Sequence, residues 1–276
     1  MSYLLPMDLH SHSENSMDAN HPVQEMCEAA IKKGIAIYAI TDHYEVGGFE
    51  GEDFDFDGYL EKSVREIRAA KDKYKDQLRL LTGIELGQPL EDIARAEKIL
   101  ASHPFDFVLG SMHNAPGRRD IYFYDPADKD YDLDKELEFY FVHLLDVIRW
   151  GLFDSASHLT YPFRYIMERQ KKPYPFRRWD DHLDTIVRTI AEKGLAMELN
   201  TSGITKTPSH TLPEARWIHR FKELGGEKLT LGADAHVPQK VGSGILQGLE
   251  IALAAGFRYL CYFEKRQPQY VKIAER

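Results

Sequence analysis

Short β-rich runs alternate with amphipathic helical segments along this chain of 276 residues. The pattern begins with the run Tyr3–Leu9, continues with a helix from about Pro22 to Lys33, and returns to a β-rich run at Ile35–Thr41. Proline suits the first turn of a helix and Gly34 suits its end, so both helix boundaries carry a local signal. Regular alternation of this kind predicts parallel strands joined by right-handed helical crossovers.

About seven or eight β/α units follow from the same pattern. Further helices are predicted near Asp57–Asp76, Leu90–Ala101, Leu133–Trp150, Asp180–Lys193, Leu212–Leu224 and Gly244–Ala255. Further strands are predicted near Leu78–Ile84, Phe105–Leu109, Leu152–Ala156, Leu195–Leu199, Leu229–Leu231 and Tyr259–Phe263. With no dinucleotide-binding glycine fingerprint, we expect an α/β protein with a closed barrel, and a doubly wound open sheet is the alternative. With no linker or repeat in the chain, we predict a single domain over residues 1–276.

Charge and cysteine content limit the classes of partner and site. The formal net charge of -9 argues against nucleic acid as the main partner, because backbone binding relies on clustered Lys and Arg. No run approaches the roughly 20 apolar residues that span a bilayer, and the N-terminus has no basic leader, so we expect a cytoplasmic protein that does not bind membranes. Cys27 and Cys261 match no CxxC pattern, so any metal would be held by nitrogen and oxygen. The oligomeric state stays open.

Histidines are placed at the ends of the predicted strands. Six of the twelve lie there: His10, His12, His43, His113, His158 and His236. In a parallel barrel these strand ends open on one face, where active sites are built. His10 and His12 form an HxH pair whose imidazoles point to the same side of a strand. The others are expected to be ordinary histidines: His21, His103, His143, His182, His210 and His219.

Three carboxylates occupy corresponding places. Asp18 lies in the loop after HxH, Glu85 follows the run Leu78–Ile84, and Asp234 lies two residues before His236. Imidazole and carboxylate ligands together suit Zn, Mn or Fe, and a carboxylate can bridge two ions. The nine residues therefore predict a metal site. Asp42 is expected to support this site and not to bind metal, because alternation along the strand turns its side chain away from that of His43.

The order of these residues resembles the motifs of the polymerase and histidinol phosphatase (PHP) family. The matching segments are Asp8-Leu9-His10-Ser11-His12, Thr41-Asp42-His43, Gly83-Ile84-Glu85, Gly110-Ser111-Met112-His113, His158 and Ala233-Asp234-Ala235-His236. The resemblance implies a distorted (β/α)7-type barrel, a phosphoesterase activity and two or three divalent ions, with Zn, Mn and Fe all open.

Within the family, the chain resembles the histidinol phosphatase branch. The similar segments are Phe54–Tyr59, Phe105–Ser111 and Glu198–Gly203, whereas the segment around Ser157 and His158 departs from the Gly-His-x-Asp pattern of that branch. Asn114 also stands where an apolar residue often follows the histidine. The chain is too short for a polymerase. The resemblance implies hydrolysis of L-histidinol phosphate; another phosphomonoester or a nucleotide is the alternative substrate, and a non-catalytic metal-binding domain is a second alternative.

The resemblance also implies roles for the nine residues. Glu85 would bridge two ions, with His10, His12 and Asp234 on the first, and with His113 and His158 on the second. Asp18, His43 and His236 would hold a third. Paired ions would lower the pKa of a shared water, so that a bridging hydroxide attacks the phosphoryl group. Asp18, His236 or the third ion would assist the departing alkoxide.

Four further residues are predicted to contact a small-molecule phosphomonoester substrate. Arg164 is the leading candidate for a phosphate clamp, because its planar fork matches phosphate oxygens, and an exposed arginine is the alternative. Arg118 and Arg119 are similar candidates in the segment after His113. Asn200 follows the run Leu195–Leu199 and is predicted either to face the site or to cap the next turn.

Overall fold

The computed structural model describes residues 5–48, 54–170, 174–206 and 208–273, which form ten strands and eight α-helices. The strands are β1 (Leu5–Asp8), β2 (Ile35–Ile40), β3 (His43–Glu45), β4 (Arg79–Gly87), β5 (Phe107–Ser111), β6 (Ser155–Ala156), β7 (Ala196–Asn200), β8 (Leu229–Gly232), β9 (Tyr259–Glu264) and β10 (Gln267–Lys272). The helices are α1 (Val23–Lys32), α2 (Phe56–Tyr74), α3 (Ile93–Ser102), α4 (Leu133–Trp150), α5 (Tyr161–Arg169), α6 (Asp180–Glu192), α7 (Ala215–Glu223) and α8 (Ile245–Ala254). The start of the first predicted strand and part of the segment Gly47–Asp57 lie outside the described residues.

Seven parallel strands form the main sheet. Their order is β1-β2-β4-β5-β6-β7-β8, and the short strand β3 also pairs with β4. The chain after β1 meets the chain after β8: the Leu9 N–H donates to the Leu231 carbonyl at 2.8 Å, and the His12 N–H donates to the Ala235 carbonyl at 2.9 Å. These bonds join the two edges of the sheet. The predicted closed α/β barrel is therefore confirmed in preference to the alternative, a doubly wound open sheet. The single domain over residues 1–276 stays a prediction.

Helix boundaries follow the local signals in the sequence. Helix α4 has the predicted bounds because the Asp132 side chain accepts a hydrogen bond from the Lys135 N–H at its start, and Gly151 adopts the left-handed conformation at its end. Strand β4 differs: it runs to Gly87, beyond the predicted end at Ile84. Glu85 consequently lies inside a buried strand and not after it.

The C-terminal strand is not part of the barrel. Strand β9, predicted as a β/α unit, pairs with β10 in an antiparallel hairpin that was not predicted. The hairpin packs on the N-terminal end of β5, where the Arg266 N–H donates to the Asp106 carbonyl and the Phe263 ring stacks on Phe107 with centroids 5.6 Å apart. It therefore covers the end of the barrel opposite the predicted metal site. None of the helices in the described residues is long and apolar enough to cross a membrane.

Candidate metal centre

The structure brings all nine predicted ligands together at the C-terminal end of the barrel. Most of them follow a strand directly, because the parallel strands all end on this face. Three differ: Glu85 lies within β4 with its carboxylate in the middle of the group, His43 begins β3, and Asp18 lies in the loop between β1 and α1. The remaining six histidines belong to no group of potential ligands within the described residues.

The first group contains four ligand atoms around one point. Nε2 of His10 lies 3.1 Å from Glu85 Oε2 and 3.8 Å from Asp234 Oδ1. Nε2 of His12 lies 3.5 Å from each of the same two oxygens. Asp234 reaches this position from a left-handed backbone conformation, φ 54°, which is uncommon for a residue other than glycine. This is the arrangement expected for the first ion.

The second group surrounds the other oxygen of Glu85. Oε1 lies 2.8 Å from His158 Nε2 and 3.3 Å from His113 Nε2. The two oxygens of one carboxylate thus face two sets of imidazoles. Glu85 has the position that a bridging ligand requires.

The third group lies at the outer edge. Asp18 Oδ2 is 2.9 Å from His236 Nε2, and Asp18 Oδ1 is 3.7 Å from His43 Nε2. His43 also turns its Nδ1 toward Glu85 Oε2, at 3.1 Å, so its ring links the third group to the centre. Asp18 is 48% exposed and His236 is 28% exposed, whereas the other seven side chains are at most 7% exposed.

The geometry of these atoms fits divalent ions. A tetrahedral ion with bonds of about 2.0–2.1 Å separates its ligand atoms by about 3.3–3.4 Å, and the distances in the first group lie on either side of that value. His12 Nε2 is buried and has no hydrogen-bond partner among the described residues, although it points at two carboxylates. Such an atom lacks an interaction that a bound ion would supply.

Two buried glutamates that were not predicted hold the imidazoles. Glu198 Oε1 lies 2.7 Å from His10 Nδ1, and its Oε2 accepts a hydrogen bond from the His158 N–H at 2.8 Å. Glu45 lies 3.1 Å from His113 Nδ1 and 3.2 Å from His43 Nδ1. A carboxylate on Nδ1 fixes the tautomer that leaves Nε2 free to bind metal. For Glu198, the available signal was an acidic residue within an otherwise apolar strand run, whereas Glu45 stands in a polar stretch without that signal.

Glycines make room for these carboxylates. A Cβ atom at Gly232 would lie 2.4 Å from both Glu198 Oε1 and His10 Cβ, and one at Gly87 would lie 2.0 Å from Glu45 Oε2. Both distances are far inside van der Waals contact. Glycine at these two strand ends is therefore a requirement of the site.

Charge interactions shift the pKa values of the buried histidines in opposite directions. Burial lowers the pKa of His113, but the neighbouring Glu45 outweighs this effect and raises the pKa to about 10. Burial lowers the pKa of His12 to about 3, and the adjacent His236 and His43 contribute in the same direction. Without metal, the centre therefore contains protonated and neutral imidazoles side by side.

Arg164 lies beside the first group. Its Nη2 donates to Asp234 Oδ2 at 2.8 Å and to Ser202 Oγ, and its side chain is 12% exposed. Its Nε is buried with no hydrogen-bond partner in the part of the chain that the structure describes. The arginine is thus held next to the candidate ligands and is not a free surface side chain.

The other predicted substrate contacts have different surroundings. Asn200 is fully buried; its amide donates to Glu198 and Asp234 at 3.3 Å each, and its Oδ1 accepts from the Ser202 N–H at 3.1 Å. Asn200 thus caps this turn and also contacts the candidate ligand Asp234, while its contact with substrate stays a prediction. Arg118 pairs with Glu136 at 3.3 Å and lies over the Phe139 ring. Arg119 lies over the Phe123 ring, with its guanidinium carbon 4.6 Å from the ring centroid.

Asp42 has the supporting position expected of it. Its carboxylate accepts hydrogen bonds from the Ser13 N–H at 2.6 Å and from the hydroxyls of Ser13, Ser63 and Ser16. Ser16 Oγ in turn lies 3.2 Å from His12 Nδ1. Asp42 therefore acts on the site through the serine that contacts His12.

Comparison with known proteins agrees with this geometry. The sequence model of the PHP domain matches residues 8–202. The chain belongs to the PHP domain family. Among curated relatives, it is 29% identical to the histidinol-phosphatase of Lactococcus lactis over 260 residues, which cover 93% of this chain and 94% of the relative. It is 27% identical to a probable histidinol-phosphatase of Clostridium acetobutylicum over 95% of this chain and 98% of the relative.

Two solved structures share the fold. The histidinol phosphate phosphatase of Lactococcus lactis, in complex with zinc, L-histidinol and phosphate, matches with a TM-score of 0.83 and 26% identity over 97% of this chain and 100% of that chain. A putative histidinol phosphatase from Listeria monocytogenes matches with a TM-score of 0.74 at 19% identity, over 87% of this chain and 99% of that one. The PHP barrel predicted from the motifs is therefore confirmed.

Replacement of Glu198 by glutamine should weaken metal binding about 10- to 100-fold, because the amide no longer provides the carboxylate that orients His10. Zinc affinity of the metal-free protein, measured by competition with a chelating indicator, tests this expectation. Glu25→Gln is the control, since Glu25 contacts His21 at 2.8 Å in an exposed pair outside the cluster. Equal affinities for the Glu198 variant and the wild type would contradict the assigned role.

Metal binding should release protons at neutral pH. The pKa values of His10 and His43 are raised well above the usual value, and that of His113 to about 10: burial lowers all three, but the neighbouring carboxylates outweigh it. An ion must displace those protons to bind the imidazoles, so affinity should rise with pH in the neutral range. Calorimetric titration with zinc in buffers of different ionisation enthalpy measures the release. Binding enthalpies that do not depend on the buffer would contradict it.

Proposed function

We propose that this protein is a metal-dependent phosphatase that hydrolyses L-histidinol phosphate to L-histidinol and phosphate in the cytoplasm. The observation that supports this function most strongly is the cluster around Glu85, in which eight residues form groups of potential metal ligands and Asp18 contacts two of their histidines, in the fold of the zinc-containing Lactococcus lactis enzyme. The likeness to that enzyme extends over nearly the whole length of both chains.

The nine residues divide between two or three ions of Zn, Mn or Fe. His10, His12 and Asp234 would hold the first with one oxygen of Glu85, and His113 and His158 would hold the second with the other oxygen. Asp18, His43 and His236 would hold the third. Bound divalent ions supply charge neutralisation at the phosphoryl oxygens and a water acidic enough to attack near neutral pH.

Exposure indicates the side from which the substrate enters. Asp18 and His236 are the most exposed of the nine residues, so a phosphomonoester meets them before it meets the buried histidines. Burial lowers the pKa of His236, but Asp18 outweighs this effect and raises it, so His236 is the one suited to give the departing alkoxide a proton. Burial raises the pKa of Asp18, but His43 and His236 outweigh this effect and hold it well below the usual value, so Asp18 assists by helping to hold an ion beside the alkoxide. Arg164, whose Nε lacks a partner among the described residues, provides a cationic fork for the phosphoryl oxygens.

The ligand set argues against a non-catalytic metal-binding domain. A structural metal site encloses its ion with protein ligands, whereas the second group, among the described residues, has three ligand atoms, from His113, His158 and one oxygen of Glu85. Coordination positions therefore remain for water and substrate. Another phosphomonoester or a nucleotide would use the same chemistry, so the choice of substrate needs a direct comparison.

Purified protein with Mn or Zn should release phosphate from L-histidinol phosphate with a kcat/KM above that for nucleotides and p-nitrophenyl phosphate. His10→Ala and His12→Ala should each reduce the rate by more than about 100-fold, because loss of a metal ligand should have a larger effect than loss of a residue that only orients a ligand. His21→Ala, which removes an exposed histidine paired with Glu25, is the matched control and should retain the activity. Preference for a nucleotide would replace the proposed substrate, and no turnover on any phosphomonoester would refute the phosphatase.

A further inference from the structure

A pair of buried hydroxyls lies directly behind the second group of ligands. Ser111 ends β5 and Ser157 follows β6, and their Oγ atoms are 2.5 Å apart. Ser111 Oγ is also 2.6 Å from Glu85 Oε1, and Ser157 Oγ is 3.4 Å from His158 Nδ1. All four side chains are at most 3% exposed. The hydroxyls thus connect two candidate ligands of the same ion.

The direction of these hydrogen bonds follows from the chemistry of the two groups that the hydroxyls contact, the Glu85 carboxylate and the His158 imidazole. An ionised carboxylate only accepts hydrogen bonds, so the Ser111 hydroxyl donates to Glu85. The Ser157 hydroxyl has two acceptors in reach, Ser111 Oγ at 2.5 Å and the Gly110 carbonyl at 3.3 Å, and the shorter contact identifies Ser111 as the main one. The Ser157 oxygen is left to accept from His158. In the metal-free protein, His158 Nε2 lies 2.8 Å from Glu85 Oε1, which only accepts, so Nε2 donates to it. When an ion takes the lone pair of Nε2, the imidazole proton must lie on Nδ1, and Ser157 Oγ, 3.4 Å from Nδ1, is the oxygen placed to accept it.

We propose that Ser111 and Ser157 are positioning residues that hold Glu85 Oε1 and His158 in the geometry that binds the second ion. The proposal rests on the ligand assignment in the proposed function, but it concerns metal binding and not the choice of substrate. One end of the hydroxyl pair orients the bridging carboxylate, and the other end accepts the Nδ1 proton of the tautomer in which His158 binds metal. A glycine at position 157, as in the Gly-His-x-Asp pattern, would have no hydroxyl for this purpose.

The barrel contains a matched pair of hydroxyls that serves as a control. Ser155 Oγ lies 2.8 Å from Thr230 Oγ1, and both residues are at most 1% exposed. Ser155 is two residues before Ser157 in the same part of the chain. Among the described residues, the hydroxyls of Ser155 and Thr230 are hydrogen-bonded to each other and to no candidate ligand. Substitution of either residue therefore measures how much metal affinity changes when a buried hydrogen bond between hydroxyls is lost away from the metal centre.

The test is equilibrium binding of Mn²⁺ and Zn²⁺ alone to metal-free protein, with the number of bound ions measured across a range of free metal concentrations. Ser111→Ala and Ser157→Ala should each weaken one site about 10- to 100-fold and leave the others unchanged. The double variant should be little weaker than either single variant, because both substitutions interrupt the same chain. Ser155→Ala and Thr230→Val should bind metal as the wild type does.

Binding curves for Ser111→Ala and Ser157→Ala that superimpose on the wild type would overturn the proposal. Equal weakening by Ser155→Ala would also overturn it, because the effect would then be general to the barrel. If one serine variant fails to fold, the other interrupts the same chain from its opposite end. No substrate is present in these titrations, so failure to hydrolyse L-histidinol phosphate leaves their result intact.

Discussion

The carboxylate of Glu85, buried at the centre of a ring of histidines, is the interaction on which the rest of the site depends. An ionised carboxylate away from water is costly unless opposite charges and hydrogen bonds compensate it. Burial raises the pKa of Glu85, but His10 and His43 outweigh this effect and hold it well below the usual value. The surrounding residues are therefore arranged to keep one negative charge stable inside the barrel.

This requirement extends outward through the structure. Glu198 and Glu45 orient the imidazoles that face Glu85, and both need a neighbouring glycine to fit. The barrel supplies the necessary alignment, because its parallel strands end on one face and the join between β1 and β8 sets His10 and Asp234 side by side. The C-terminal hairpin covers the opposite end. The fold and the chemistry are thus linked through the ends of the strands.

Much of this arrangement was predictable, and the reasons differ from residue to residue. Alternating elements predicted the barrel, and strand-end histidines predicted the cluster, because both follow from parallel topology alone. The prediction that the strand at Tyr259–Phe263 belongs to a β/α unit was wrong, because a strand run in the sequence does not reveal which strand it pairs with. Glu45 and Glu198 were not selected, because a lone acidic residue in a strand becomes significant only when a histidine is seen to contact it.

Elemental analysis and a phosphate-release assay on the same purified sample test the central claim most directly. The account predicts about two to three divalent ions per chain together with turnover of L-histidinol phosphate. Chelation should remove both, and addition of Zn or Mn should restore both. Full activity in protein free of metal, or a full complement of ions with no phosphate release, would contradict the account.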